Sequence, residues 1–487
     1  MSFFDLAHTT EIAVRLRSGC RISRAADCSG LQLDWHGHAI PLGRGPAGLD
    51  AALGGLLSGT TLADLRDRVF ASDGSDAAAG FLIWMQRMAR MGLLDYPLMH
   101  DGRVIVTILP QQSTFVPRLS KPGRALGKDR LLSRFATLRR ADGRWLLEHP
   151  LIACRLAVDD TEVLSILMRW AAGQWPASAS SDDWPDASAD LIARTLDGLG
   201  FLSDDPRSTR NDNADTLRQW EPQDLAFHFH SRRGFHFDPV GGLFPFIDEI
   251  EPLPALRPSW KGEAIMLDRA PAGMTSASLT QVIAQRRSSR YYQKDTAVSL
   301  HQLGVFLDRV ASVSETSTMT VTNYHGLHSA MEVSRRPYPN GGASYELELY
   351  AVVDVCDGLD RGVYHYDAGR HALVSISDYS DQVEQMLRDA SMATAGMATP
   401  QILFAITARF TRVMWKYKSI AYAVILRNTG VLYQTMYLTA TDMGLSPCGV
   451  GSGDSALFAE VTGLDPIVEG TVGEFLLGGP PAEPPGA

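Results

Sequence analysis

The chain has 487 residues, 45% hydrophobic and 21% charged, the proportions of a globular protein too long for a single core. Its net charge of -10 argues against a general nucleic-acid binder, which carries a basic stripe. The opening Met1-Ser2-Phe3-Phe4-Asp5 lacks the basic segment and apolar run of a signal peptide, and no apolar run reaches the roughly 18 residues of a membrane span. A cytoplasmic protein with neither nucleic acid nor membrane as partner is expected. The cysteines, Cys20, Cys28, Cys154, Cys356 and Cys448, show no C-x-x-C spacing, and no histidine set completes a zinc site. Reduced, mostly buried thiols and no metal follow.

Up to about residue 205 the sequence reads as one small winged-helix-like module used twice, over 1–110 and 125–205. In the first copy, short alternating segments between Gly19 and Ile40 read as strands. Leu49, Leu53, Leu56 and Leu57 then mark one helix face, and Phe81, Trp84, Met85 and Met88 a second. Gly92 suits the left-handed residue that closes a helix. The second copy opens with Phe135 to Leu147, a hairpin turning at Asp142-Gly143. Asp159 or Asp160 caps a helix bearing Val163, Leu164, Leu167 and Met168, and Leu196-Asp197-Gly198-Leu199-Gly200-Phe201 echoes the close of the first copy. Gly173 to Ser188 reads as a loop within that copy. The candidate recognition helices lack a basic face, so docking of an extended peptide along a strand edge fits better than DNA; packing on the rest of the chain is the competing role. Residues 206–260 read as a polar, proline-rich connector, whose His228, His230 and His236 have no matching carboxylate spacing and suit packing or surface roles.

From about Gly262 the pattern becomes α+β, and residues 261–480 read as the site-bearing domain, with 481–487 a frayed tail. A helix carrying Leu279, Val282 and Ile283 runs into Gln285-Arg286-Arg287-Ser288-Ser289-Arg290-Tyr291-Tyr292, a compact set of arginines and hydroxyls suited to a phosphate. In Arg336-Pro337-Tyr338-Pro339-Asn340-Gly341-Gly342-Ala343 two prolines stiffen the chain, and two glycines let its backbone approach a flat ligand. A strand follows, with Leu347, Leu349 and Ala351 alternating with Glu346, Glu348 and Tyr350. Gly362-Val363-Tyr364-His365-Tyr366-Asp367 reads as a hairpin, and Ile402 to Thr407 as a buried strand. Lys416 and Tyr417 stand where a polar turn meets the long helix from about Ile420 to Met443. A lysine that loses solvent there becomes a base near neutral pH. Leu445 to Gly453 reads as a glycine loop; it follows a helix rather than a strand, so it is no dinucleotide fingerprint.

Arg286-Arg287-Ser288-Ser289-Arg290, the Arg336–Ala343 run, the Gly-Val-Tyr-His-Tyr hairpin, Lys416-Tyr417 and the late glycine loop occur in this order. Together they resemble the SagB-type branch of the FMN-dependent nitroreductase family, which includes azoline dehydrogenases of thiazole/oxazole-modified peptide biosynthesis. The resemblance covers about residues 220–480, and the doubled N-terminal module resembles the precursor-recognition winged helices of some cyanobactin-type oxidases. It implies an antiparallel-rich sheet flanked by helices, FMN as cofactor, and a homodimer with shared flavin sites. By the same resemblance Arg286, Ser288 and Arg290, with Arg287 beside them, hold the FMN phosphate and ribityl chain. Pro339, Asn340, Gly341 and Gly342 touch the flavin ring, often across the subunit boundary, and Gly449, Val450 and Gly451 contribute backbone contacts. A serine is commoner in the family where Asn340 stands. Lys416 takes the proton and Tyr417 orients it or relays that proton, while hydride passes to flavin N5 and dioxygen reoxidises the flavin. The implied substrate is an azoline-bearing precursor peptide, with a cyclodehydratase as a further partner.

Two other readings compete. An NAD(P)H-dependent flavin reductase of nitroreductase type needs neither the Lys-Tyr pair nor the doubled module. A non-catalytic leader-peptide scaffold needs neither the arginine clamp nor Lys416.

Overall fold

The computed structural model describes residues 2–24, 30–35, 38–43, 45–121, 131–141, 143–158, 160–172, 187–202, 212, 214–237, 241–274, 276–291, 296–397 and 400–481. Cys28, Asp142, Asp159, Tyr292, most of the 173–188 loop and the tail beyond 481 lie outside them. The chain divides into two compact units, Met1–Pro239 and Val240–Ala487, so the connector read over 206–260 is shared between them.

In the first unit the strands of both modules join one antiparallel sheet of seven. Its order is Thr60–Thr61, Ala13–Leu16, Leu94–His100, Arg103–Pro110, Cys154–Val158, Arg144–Glu148, Thr137–Ala141. A separate three-stranded meander is formed by Cys20–Arg24, Leu31–Trp35 and His38–Gly43. Phe81, Trp84, Met85 and Met88 on helix Leu62–Arg90 share a core with Leu156, Leu167 and Leu196 of the second module. Helix Leu49–Ser58 buries Leu49 and Leu56, but Leu57 of the same sequence stripe faces solvent. Gly92 at φ 74° and Gly200 at φ 90° close their helices in the left-handed region. Asp160 caps helix Thr161–Ala171 by accepting from the Glu162 N–H at 2.8 Å. His228 packs on Trp220 and Phe229, and His236 Nε2 donates to the His230 carbonyl at 2.8 Å. Among the described residues no cluster suited to a metal ion occurs, and no helix is long and apolar enough to cross a membrane.

The second unit is a helix–sheet–helix sandwich. Its antiparallel sheet runs Ala264–Met266, Ala372–Asp378, Gly362–Asp367, Leu347–Val353, Ile402–Arg409, Glu469–Gly478, Ser446–Val450. Leu347, Leu349, Ala351, Phe404, Ile406 and Phe475 pack beneath helices Leu300–Ala311 and Ala421–Asp442. Tyr350, Val352, Leu403, Ala405 and Leu476 meet helices Asp381–Ala393 and Ser455–Thr462 on the other face.

With both faces covered, strand Leu347–Val353 is buried at every position, so the alternation in its sequence does not mark a wet face. Glu348 therefore meets His365 at 3.3 Å and Arg409 at 3.5 Å inside the protein. Tyr350 and Thr407 donate to Glu469, which Arg257 also pairs at 2.9 Å. The glycine loop of the sequence reading is corrected: Ser446–Val450 is an edge strand, paired with Glu469–Gly478, and only 451–453 remain a turn. Pro447 is tolerated because edge strands can spare one backbone donor. The ribbon Glu315–Thr322 with His328–Arg335 had no counterpart in the sequence reading; it delivers the chain into the Arg336–Ala343 segment.

Candidate active site

The predicted residues fall into two groups, each tied to helix Ala421–Asp442 by one of its side chains. In the first, helix Leu279–Gln285 starts in a capping box between Ser278 and Gln281 and ends at Arg286. The extended chain after it is pinned where the Ser289 N–H donates to the Pro447 carbonyl at 2.8 Å. Tyr437 of helix Ala421–Asp442 then joins three predicted residues. Its hydroxyl is 2.8 Å from Ser288 Oγ and accepts from the Gly449 N–H at 2.6 Å, and the Arg286 guanidinium lies 5.4 Å from its ring centroid. Arg287 and Arg290 are exposed beside them, and the charge of Arg290 partly offsets the rise that burial imposes on the Cys448 thiol pKa. Among the described residues none of these three arginines has a carboxylate partner, which leaves the cluster fit for an anion. Val450 lies in the edge strand and Gly451 just past it, with open space where a Cβ would stand.

The second group surrounds Lys416. The short helix Phe410–Met414 is followed by Trp415, whose indole donates to the Ile250 carbonyl at 2.7 Å and packs edge-on against Phe244. The Lys416 carbonyl accepts from the N–H groups of Leu243 and Phe244, so its backbone is fixed on both sides. Lys416 Nζ donates to the Gly342 carbonyl at 2.9 Å and sits 5.6 Å from the Tyr417 ring centroid. Gly342 has φ 70°, and a side chain there would collide with the Tyr417 hydroxyl and the Lys416 ammonium. Burial, reinforced by the charge of Arg412, holds the Lys416 pKa below its ordinary value. Burial and the Glu346 carboxylate raise that of Tyr417.

Asn340, Asn428 and Glu346 hold this loop in place. Glu346 accepts from Asn340 Nδ2 at 2.9 Å and from Asn428 Nδ2 at 2.8 Å. The Asn428 carbonyl accepts from the Gly341 N–H at 3.0 Å, and Asn340 Oδ1 from the Tyr345 N–H at 2.9 Å. Burial pushes the Glu346 pKa up, while the two amide donors oppose that rise. Pro339 is exposed at the edge of the loop. Glu346, Asn428, Tyr437 and Arg412 were missed by sequence reasoning. Only the alternate spacing of Glu346 and Glu348 hinted at buried acids; Asn428 and Tyr437 stand in an otherwise ordinary helix.

The structure thus joins Arg286, Ser288 and Gly449, and separately joins Asn340, Gly341, Gly342, Lys416 and Tyr417. It does not bring the two sets into contact with each other within one chain.

Comparison with known proteins matches the two units of the chain to different families. The Nitroreductase family model matches residues 283–478, and the cyanobactin oxidase ThcOx model matches residues 130–237. The chain is 28% identical over 183 residues to the trifolitoxin-processing protein TfxB of Rhizobium leguminosarum bv. trifolii, covering 37% of this chain and 47% of that protein. It is 29% identical over 116 residues to the microcin B17-processing protein McbC of Escherichia coli, covering 23% of this chain and 42% of McbC. The chain therefore spans less than half of either relative. Among solved structures, a chain of the E. coli microcin synthetase McbBCD complex with truncated pro-MccB17 bound aligns with a TM-score of 0.34 at 18% identity. That alignment covers 49% of this chain and 87% of the other. The C-terminal unit is thus similar to the Nitroreductase family over residues 283–478, and the segment ahead of it to the cyanobactin oxidase ThcOx over residues 130–237.

Proposed function

We propose that this protein is an FMN-dependent oxidoreductase that dehydrogenates thiazolines or oxazolines in a ribosomally made peptide to the aromatic azoles. The observation that carries this reading is Lys416: half-buried, tied to Gly342 at 2.9 Å, and held below the ordinary lysine pKa. Aromatising an azoline removes a proton from one ring carbon and a hydride from its neighbour. FMN, when bound, supplies the acceptor for the hydride. Arg286, Ser288 and Arg290 would hold its phosphate and ribityl end, with Arg287 adding positive charge, and Gly449, Val450 and Gly451 would offer backbone contacts to it. Neutral Lys416 takes the ring proton at Nζ, and the carbonyl of Gly342 keeps that nitrogen aimed. Tyr417 keeps its own proton, because burial and Glu346 disfavour the phenolate, and orients the lysine. Dioxygen is the terminal oxidant.

The two groups anchored by Asn428 and Tyr437 of helix Ala421–Asp442 fit a homodimer in which each flavin site takes the arginine clamp of one copy and the Asn340–Gly342 loop with Lys416 of the other. A precursor peptide is the natural substrate, given relatives that process trifolitoxin and microcin B17, and a cyclodehydratase is the enzyme that must supply its azolines. The exposed strand Thr137–Ala141, at the edge of the first unit's sheet, offers the backbone along which a leader peptide would pair.

An azoline-bearing peptide added to the FMN-loaded protein without oxygen is expected to bleach the flavin absorbance. Bleaching by NADH or NADPH, with none by the peptide, would move the assignment to a nitroreductase-type reductase.

A further inference from the structure

A cavity of about 430 Å³ opens beside the 451–453 turn, lined by Tyr433, Gly451, Ser452, Thr471 and Glu474 among others. Strand register places Glu474 opposite Val450 on one side and Ala405 on the other. The residue is 9% exposed, and its carboxylate lies against Gly453, where even a methyl group would collide with it. Among the described residues that carboxylate has neither an ion pair nor a hydrogen bond, while the backbone N–H of the residue donates to the Tyr433 hydroxyl at 2.7 Å.

The neighbours supply no cation. Helix Ala421–Asp442 presents the Tyr433 phenol, whose pKa burial raises. Asp454, at the head of helix Ser455–Thr462, and Asp389 of helix Asp381–Ala393 line a smaller cavity that Glu474 also borders. Strand Ser446–Val450 contributes only the buried Cys448 thiol, and strand Ile402–Arg409 the apolar Ala405. A charged carboxylate here rests on the water of the cavity, and a ligand that displaces that water favours the neutral acid. A neutral carboxylic acid can donate a hydrogen bond.

We propose that Glu474 is a further ligand-binding residue of this site: a carboxylic acid that keeps its proton when the cavity is filled and donates to an acceptor atom of the ligand. The inference rests on the reading that the ligand is FMN. Burial raises the Glu474 pKa to about 7 in the empty protein. The binding-competent form is the protonated one, so affinity is full below that value and falls as pH rises through it.

The test is FMN affinity of the full-length apoprotein, read by flavin fluorescence at about pH 7 and about pH 9, where the phosphate is already ionised. Wild type should bind about fiftyfold more weakly at the higher pH than at the lower. Glu474→Gln keeps the shape and an N–H to donate, and should lose that extra dependence. Equal pH dependence in the two proteins would overturn the inference while leaving the flavin reading intact. No FMN binding at any pH would overturn both. Should the variant fail to fold, calorimetry of wild type near pH 8 in two buffers of different ionisation enthalpy decides: close to one proton taken up per FMN supports the inference, and none refutes it.

Discussion

Asn428 and Tyr437 stand nine residues apart on helix Ala421–Asp442, which at roughly 3.6 residues per turn puts them on opposite sides of it, about 13 Å apart along its axis. Asn428 holds the Gly341 N–H and Tyr437 holds the Gly449 N–H. One helix therefore anchors both halves of the proposed site while keeping them apart, and the proposed homodimer would assemble each flavin site from the clamp of one copy and the lysine loop of the other.

That arrangement predicts complementation between two inactive variants. Arg286→Ala removes the clamp and Lys416→Ala removes the base. If each site takes one part from each copy, a mixed dimer regains one intact site of its two. Random re-pairing then restores about a quarter of wild-type turnover, since half of the dimers are mixed. Turnover that stays at zero after verified subunit exchange would place clamp and lysine in the same copy.

Tyr437→Phe keeps the ring under Arg286 but removes the hydroxyl shared by Ser288 and Gly449. Two modest hydrogen bonds are lost, worth about 1–2 kcal/mol together. FMN affinity is expected to fall about 5- to 30-fold, with the fold intact by circular dichroism. Unchanged flavin retention after gel filtration would remove Tyr437 from the clamp.

Gly342→Ala forces a side chain into the left-handed region and against Lys416 and Tyr417. Backbone strain of about 1–2 kcal/mol and displacement of the lysine should cost turnover at least tenfold in the FMN-loaded variant. Wild-type turnover in this variant would show that Lys416 tolerates a different seat.

Lys416 acts in its neutral form, so turnover should rise with pH and level off at the lowered lysine pKa, below the ordinary value of 10.5. Stability follows the same sign. Folding favours the neutral amine, so this contribution is present above the ordinary lysine pKa and is lost as pH falls through the folded one. A pH–rate profile without that limb, or one unchanged in Lys416→Arg, would contradict the assignment.

The sequence carried the helix and strand pattern of the second unit well, because Leu347–Val353 and Ile402–Arg409 are continuous apolar or alternating runs between clear turns. It misplaced Ser446–Val450, since Pro447 and the glycines signal a turn locally and only pairing with Glu469–Gly478 makes them a strand. Within the candidate site, the arginine–serine run, the Asn340–Gly342 loop and Lys416-Tyr417 were legible as local motifs. Their supports were not. Glu346 reads as the polar half of an alternating strand, and Asn428 and Tyr437 as residues of a helix. Their roles arise from hydrogen bonds across 82 and 12 positions of chain, which no local pattern encodes.

The most direct measurement is mass spectrometry of an azoline-bearing peptide incubated aerobically with the FMN-loaded protein and, in parallel, with Lys416→Ala. The account predicts loss of two hydrogens per heterocycle with wild type and an unchanged peptide with the flavin-loaded variant. An unchanged peptide with flavin-loaded wild type across several azoline substrates, or equal oxidation by the variant, would contradict it.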